Sequence, residues 1–395
     1  MISKNKKKKI CNLYIPRTIY SLFLILSKKK INNEENFVVI NNYNFEKIPK
    51  NLIFFLKKRK FKIIFIYKNY SYKNNNVSKK NKNKIFFGIN YLLNLNEISN
   101  SILNTNYSEL SRINFDNYQK INIYYSSNIF YFSNFCKKFK NVNLYFLEHG
   151  SGNFLSFVYE DYKYNYDYKY RLKMFVTSLI FKIKGIYIPS KSFYFGTCFK
   201  LFNVKSLSNN NYTIEASNID FRKGFNEIFN FYRKELTKIK EKKGEFIYLQ
   251  LPHAYELRAY KEFLKIVSIK AKYNRNYIFI IKLKSTHSNK KNKYYIYLKK
   301  FFKKEKINYY FLSEKFKMIP AEIILEFFKV KEIYSAYSTI LFSSFYFCNR
   351  QIKINAFFSS LIKKKYRNHI ELMPFINQFI KKRYINKKVN YIDNY

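Results

Sequence analysis

Tryptophan is absent from this chain, and glycine (7) and proline (6) are scarce for 395 residues. Lys, Asn, Ile, Tyr and Phe are inflated together in their place, the pattern of an A+T-rich coding sequence. Acids are few as well: Asp and Glu total 25 against 75 Lys and Arg, a formal charge of +50. Such a charge ordinarily points to nucleic acid or to an anionic membrane surface. Here compositional drift accounts for much of it, because Lys fills solvated positions by default. No RNA-recognition motif, zinc-finger spacing or helix-turn-helix signature accompanies the charge, so no specific nucleic-acid partner is expected. A general attraction to anionic ligands and anionic lipid remains.

The four cysteines (Cys11, Cys136, Cys198 and Cys348) lie far apart and make no metal-ligand spacing, which leaves buried free thiols in a reducing compartment. No Asp-x-Asp pair for a metal–nucleotide complex is present, and no repeat of roughly 20–50 residues. No apolar run reaches the roughly 18 residues of a membrane-crossing helix. The basic start followed by apolar residues 19–26 superficially resembles a secretion signal. That run is short, however, Lys28-Lys29-Lys30 follows it, and no small-residue cleavage site appears. The expected location is cytoplasmic. A disordered polymer is excluded by 47% hydrophobic and 21% aromatic residues. The length suffices for two ordinary domains.

What is present is an alternation of short apolar runs and helical patterns. Residues 10–15 read as a strand broken by Pro16-Arg17-Thr18, with a helix over 20–27. Residues 37–40 and 62–67 are β-rich, with a helix between them over 45–58; the Asn/Lys/Ser-rich stretch 69–84 is a surface loop. Strands over 121–125 and 143–147 flank a helix over 129–140. Residues 160–170 read as a loop over the site, 171–183 as a helix, 185–200 as the close of the first domain, and 225–243 as a basic connector helix. A second block follows. Its strands are 245–250, 277–282, 309–312 and 332–335, and its helices 260–273, 294–304 and 320–328, the last with Pro320 where a first turn tolerates it. This alternation predicts an α/β protein of two Rossmann-like, doubly wound parallel-sheet domains facing across a cleft. The expected divisions are 1–232, 233–375 and a basic tail over 376–395.

Three strand ends carry unusual polar groups. Gly150 and Gly152, two of the seven glycines, follow an apolar strand that ends in Glu148 and His149. Ionisable groups at the carboxyl edge of an open α/β sheet sit where ligands bind, and the glycines allow close backbone approach. A plain tight turn with Glu148 in solvent is the alternative. Lys284 to Ser288, with His287 inside it, follows the second strand of the second block, and Lys282 adds charge nearby. Ser335, Ser338 and Thr339 close the list, offering hydroxyls and helix-start N–H groups to an anion or only an N-cap. Histidine serves as a phosphate contact or as acid or base near neutral pH. Of only four histidines, His149 and His287 fall on these ends, and His253 ends the first strand of the second block.

In this order the segments resemble the bacterial sialyltransferases of two-domain GT-B type, the glycosyltransferase family 52-like lipooligosaccharide enzymes and capsule polysialyltransferases among them. Asn12-Leu13-Tyr14-Ile15-Pro16-Arg17-Thr18-Ile19-Tyr20 looks like their opening strand and Thr-Pro-Tyr turn, with Ile19 where proline is usual. Glu148-His149-Gly150 looks like their acid-acid-Gly motif, which supplies the general base. Residues 284–288 are similar to their Lys-x-His-Pro region, whose His contacts the donor phosphate. Ile319-Pro320-Ala321-Glu322 and Ser335-Ala336-Tyr337-Ser338-Thr339 look like the later helix and the serine-rich motif near the CMP phosphate. Three departures stand out. His149 replaces the second acid and shares the claim to be the base; Ser288 replaces the proline after His287; Thr286 fills an extra position. Pro252-His253 is a second candidate for the His-Pro pair.

The resemblance implies a metal-independent, inverting transfer of sialic acid, or a related nonulosonic acid, from CMP-sialic acid to a glycan hydroxyl of lipooligosaccharide or capsule. It requires no cofactor. Glu148, His149 and His287 are the implied catalytic residues. Lys284, Ser288, Ser335, Ser338, Thr339, Gly150 and Gly152 lie on the donor side, and Arg17 and Thr18 on the acceptor side. The partners would be a nucleotide-sugar donor, a glycan acceptor and an anionic inner-membrane surface, the last met by a basic amphipathic helix from Ile376 through Phe379 and Ile380 towards Ile385 and Val389. Two other readings compete: a GT-B enzyme using another nucleotide sugar, and a non-enzymatic basic protein of membrane surfaces or nucleic acid.

Overall fold

A computed structural model describes residues 9–16, 18–28, 33–41, 50–66, 95–96, 99–100, 110, 112–126, 133–139, 141–147, 168–186, 192–195, 206–207, 212–214, 221–239, 243–250, 257–282, 293–312, 316, 319–335, 340–348, 352–358 and 389–393. These divide between Ile219 and Asp220 into two compact units.

In the first unit the strands are β1 (Lys9–Ile15), β2 (Glu34–Asn41), β3 (Lys62–Ile66), β4 (Tyr118–Tyr125), β5 (Val142–Leu147), β6 (Ser192–Phe195), β7 (Ser206–Leu207) and β8 (Tyr212–Ile214). They form one sheet in the order β3-β2-β1-β4-β5-β6-β8-β7, parallel except for the pairing of β7 with β8. The first six strands thus follow the doubly wound order 3-2-1-4-5-6, whose direction of winding reverses between β1 and β4. The helices are α1 (Ile19–Ser27), α2 (Lys50–Lys58), α3 (Ser133–Lys138) and α4 (Tyr168–Ile183). All nine residues of α1 are buried, as expected of Ile-Tyr-Ser-Leu-Phe-Leu-Ile-Leu-Ser, a helix apolar on every side. Inside it the Ser27 hydroxyl donates to Phe23 O at 2.6 Å, which satisfies a buried polar group.

Two side-chain ladders cross one face of this sheet and hold its register. Asn36, Asn12, Asn122 and Asn143 are successive partners on β2, β1, β4 and β5. Their amides bond in series, Asn12 to Asn36 at 2.9 Å, Asn122 to Asn12 at 2.8 Å and Asn143 to Asn122 at 3.1 Å. Lys28 Nζ also donates to Asn12 Oδ1 at 3.2 Å and pairs with Glu34 at 3.1 Å. Two residues along each strand, Tyr14, Tyr124, Tyr145 and Phe193 form a row of stacked rings with centroids 4.5–5.0 Å apart. A slip of one residue would send both rows to the opposite face, so the pairing is strongly specified. Asn12 and Asn122 are buried and Asn36 and Asn143 half-buried, at low cost because each amide is answered by its neighbour.

The second unit repeats the same winding. Its strands are β9 (Glu245–Gln250), β10 (Tyr277–Lys282), β11 (Tyr309–Phe311), β12 (Glu332–Ser335), β13 (Lys353–Phe358) and β14 (Val389–Asp393), all parallel, in the order β11-β10-β9-β12-β13-β14. The reversal falls between β9 and β12. The helices are α5 (Phe221–Leu236), α6 (Leu257–Tyr273), α7 (Lys293–Lys304), α8 (Ala321–Phe327) and α9 (Ile340–Phe347). One face of the sheet carries Ile247, Leu249, Phe279, Ile281 and Tyr334 into a core with Phe263, Val267, Leu298 and Phe302 of α6 and α7. On that face Lys270 of α6 pairs with Glu332 at 3.0 Å, and the Tyr334 hydroxyl donates to the same carboxylate at 3.2 Å. Helix α5 belongs to this unit, with Phe225 stacked on Phe347 of α9 at 5.5 Å. Before β9, Gly244 sits at φ +157°, where a Cβ would come within 2.7 Å of Asn276 O, so a side chain is excluded.

The expected α/β class and parallel winding stand. Several elements differ from expectation. Residues 168–170, expected in a loop, open α4. The stretch 185–200 contains β6, and β7 and β8 follow it, so the first sheet continues beyond its expected close. The end of the expected tail helix is strand β14, paired with β13, while Ile376 to Lys388 lie outside the described residues. No helix among the described residues is long and apolar enough to cross a membrane.

Candidate functional site

Each sheet has one point where the strand order reverses, and in open α/β sheets that point, at the carboxyl ends, is where ligands bind. In the first unit it lies beyond Ile15 of β1 and Tyr125 of β4, which are register partners. Ser126 continues from β4, its N–H donating to Ile15 O at 3.3 Å. Thr18 is the N-cap of α1: its hydroxyl accepts from Ser21 N at 3.3 Å and lies 3.3 Å from Ser21 Oγ. Ser21 Oγ is in turn 3.5 Å from Ser126 Oγ. Three hydroxyls therefore meet at the reversal point, and Thr18 is the one expected from sequence. Arg17 lies outside the described residues. Strand β5, next to β4, ends at Leu147. Glu148, His149, Gly150 and Gly152 follow it in the chain, outside the described residues.

In the second unit the reversal point is lined by a row of register partners. Lys282 ends β10, Gln250 ends β9 and Ser335 ends β12, each beside the next. The three project from the face opposite Ile281, Leu249 and Tyr334, following the strand period of two. Ser335 is fully buried. Gln250 Oε1 accepts from the Tyr248 hydroxyl, two residues earlier on the same strand, at 3.1 Å. On this side stands Glu322 in the first turn of α8, after Pro320, and it accepts from Ser343 Oγ of α9. Burial pushes the Glu322 carboxyl above its ordinary range, opposed by the Ser343 hydrogen bond, its own backbone N–H and the Lys282 charge. Tyr248 is raised too, by burial and then by Glu322.

Of the donor-side residues expected from sequence, Ser335 is described, and it stands at the reversal point. Lys284, His287, Ser288, Ser338 and Thr339 lie outside the described residues, as does the rival His253. Sequence reasoning did not assign roles to Gln250, Ser343 or the buried carboxyl of Glu322. The available signal was the lone acid in the apolar run Ala321-Glu322-Ile323-Ile324-Leu325. Among the described residues no cluster of three or more His, Cys, Asp or Glu side chains could hold a metal. Cys11, Cys136 and Cys348 are free thiols; burial pushes Cys11 and Cys136 up to about 12, far from a reactive thiolate.

No protein-family model matches the chain. No curated protein matches it significantly. Among solved structures it is similar to a glycotransferase of kitacinnamycin, at 7% identity over 98% of this chain and 86% of the other, with a TM-score of 0.44. It is similar also to MnaA of S. aureus solved with UDP, at 9% identity over 96% and 88%, TM-score 0.43. A third likeness is to a glycosyltransferase from Rickettsia africae ESF-5, at 11% identity over 89% and 79%, TM-score 0.40. These values are low, and the fold rests on the strand orders given above.

Proposed function

We propose that the chain is a GT-B glycosyltransferase that moves sialic acid, or a related nonulosonic acid, from its CMP-activated form to a hydroxyl of a cell-surface glycan. The observation that carries this reading is the doubling of one fold: two sheets with the same 3-2-1-4-5-6 winding, each with hydroxyl-bearing residues at its reversal point. One unit to hold an acceptor and one to hold a nucleotide is what transfer between two substrates requires.

In the proposed reaction Glu148 removes the proton from the acceptor hydroxyl as its oxygen attacks the anomeric carbon. His149 is the alternative base. The bond from that carbon to the phosphate oxygen breaks with inversion, and the electron pair leaves with CMP. His287, Lys284, Ser288 and the segment Ser335, Ser338 and Thr339 would stabilise the departing phosphate, with Gly150 and Gly152 allowing backbone approach. Ser335 supports this assignment by its place beside Gln250 and Lys282. Arg17 and Thr18 belong to the acceptor side, and lipooligosaccharide or capsule is the acceptor class.

A ligand panel read by thermal shift tests the donor. CMP should raise the melting temperature, while UDP, GDP and oligonucleotides should not. Stabilisation by UDP alone would assign the chain to another nucleotide sugar. Stabilisation by oligonucleotides alone would overturn the enzymatic reading.

A further inference from the structure

Helix α4 (Tyr168–Ile183) carries an apolar stripe that the first unit leaves uncovered. Tyr168, Leu172, Phe175, Leu179 and Ile183 are between 46% and 75% exposed. At 3.6 residues per turn their spacings of four, three, four and four place all five within an arc of about 80°. Phe181 is buried on the opposite side, where the helix is seated.

The seating is well defined. At the carboxyl end, Ile186 N–H donates to Phe181 O at 2.8 Å and Gly185 N–H to Lys182 O at 3.0 Å, a Schellman cap. Gly185 supplies the left-handed φ of +65° that the cap needs. Ile186 and Phe181 are both buried. Lys184 bonds to Asn100 at 2.9 Å and to Asn96, and Lys137 donates to Gly185 O. The stripe is therefore the outward face of an anchored helix, and not a core face misplaced by fraying.

The charges beside the stripe choose its occupant. The helix contains no acid, and Lys169, Arg171 and Lys182 flank the apolar arc on its two sides. A second copy docked stripe to stripe would set these cations against their own kind, which disfavours self-association. An anionic bilayer accepts both features at once, apolar side chains into the acyl boundary and cations among the headgroups. We infer that α4 is an interfacial helix that seats the first unit on an anionic membrane surface. This is independent of which nucleotide sugar is used, and it gives the membrane contact to an internal helix instead of the carboxyl-terminal tail.

The absence of tryptophan makes the test direct. Phe175→Trp introduces a single reporter at an exposed position. With full-length protein, vesicles of phosphatidylcholine and phosphatidylglycerol should shift its emission to the blue and shield it from acrylamide, and pure phosphatidylcholine should do so far less. Leu172→Ser/Phe175→Ser/Leu179→Ser should weaken co-sedimentation with the anionic vesicles at least about tenfold with an unchanged thermal melt. Unchanged emission with anionic vesicles would overturn the inference. So would a lipid-free blue shift that grows with protein concentration, which would give the stripe to a second copy.

Discussion

Ser335 and Gln250 are register partners on β12 and β9, 85 residues apart in the chain and adjacent at the point where the second sheet reverses its winding. Gln250 is also the partner of Lys282 on β10. A hydroxyl, an amide and an ammonium thus stand in one row at the carboxyl edge, with the Glu322 carboxyl close enough to feel the Lys282 charge. The first unit shows the same arrangement in simpler form. There Ile15 and Tyr125 are partners, and the Thr18, Ser21 and Ser126 hydroxyls gather beyond them.

The donor site proposed above predicts a binding defect for Ser335→Ala. A hydrogen bond to a charged phosphate contributes about 1.5–3 kcal/mol, so its loss should weaken CMP binding roughly tenfold or more. Titration calorimetry on the two proteins measures this. An unchanged dissociation constant would remove Ser335 from the donor site.

The asparagine ladder predicts a stability defect remote from any chemistry. Asn122→Ala takes from Asn12 Oδ1 one of its two donors, leaving Lys28, and takes the acceptor from the half-buried Asn143 amide. Leaving buried polar groups unmatched costs about 1–3 kcal/mol. Urea denaturation of the variant should show an unfolding free energy lower by about that amount, and a loss below about 0.5 kcal/mol would mean that the ladder is ornamental.

Glu35 predicts a pH dependence. The Tyr118 hydroxyl at 2.6 Å, with Lys62 and Lys9 at 2.9 Å and 3.0 Å, lowers its carboxyl from the ordinary 4.5 to about 2, against a smaller opposing effect of burial. A carboxyl depressed in the folded state stabilises above its unfolded value, and that stabilisation is lost as the pH falls towards the folded value. The stability gap between wild type and Glu35→Gln should therefore be full above pH 4.5 and should close as the pH falls to about 2. Denaturation midpoints taken across that range will show it; a gap independent of pH would place the contribution of Glu35 elsewhere.

The elements legible in the sequence were those whose signal is local. Strands 245–250, 277–282 and 332–335 match β9, β10 and β12 residue for residue, because each is an apolar, β-branched or aromatic run with a clear break beyond it. Strands β6, β7, β8, β13 and β14 were missed. They are two to six residues long, and the alternation that Lys353-Ile354-Asn355 begins is lost in Ala356-Phe357-Phe358. The Asn ladder was invisible for a related reason. Asn12 and Asn122 read singly as polar interruptions and become core residues only once β1 pairs with β4 across more than a hundred residues. The positions of Thr18 at the start of α1 and Ser335 at the end of β12 were legible because element ends are local signals. The alignment of Ser335 with Gln250 and the burial of Glu322 against Ser343 depend on strand order and on helix α9, which no local pattern contains.

The most direct measurement follows CMP released from CMP-sialic acid by the full-length protein, with galactose-terminated and sialic-acid-terminated glycans as acceptors. Wild type should release CMP in proportion to sialylated product. Glu148→Gln should release it about 10²–10⁴-fold more slowly with its CMP dissociation constant unchanged, because the base acts on the acceptor and not on the donor. Wild-type turnover retained by the Gln variant would contradict the assignment of Glu148. The absence of CMP from CMP-sialic acid, with UDP released from a UDP-sugar under the same conditions, would contradict the proposed reaction itself.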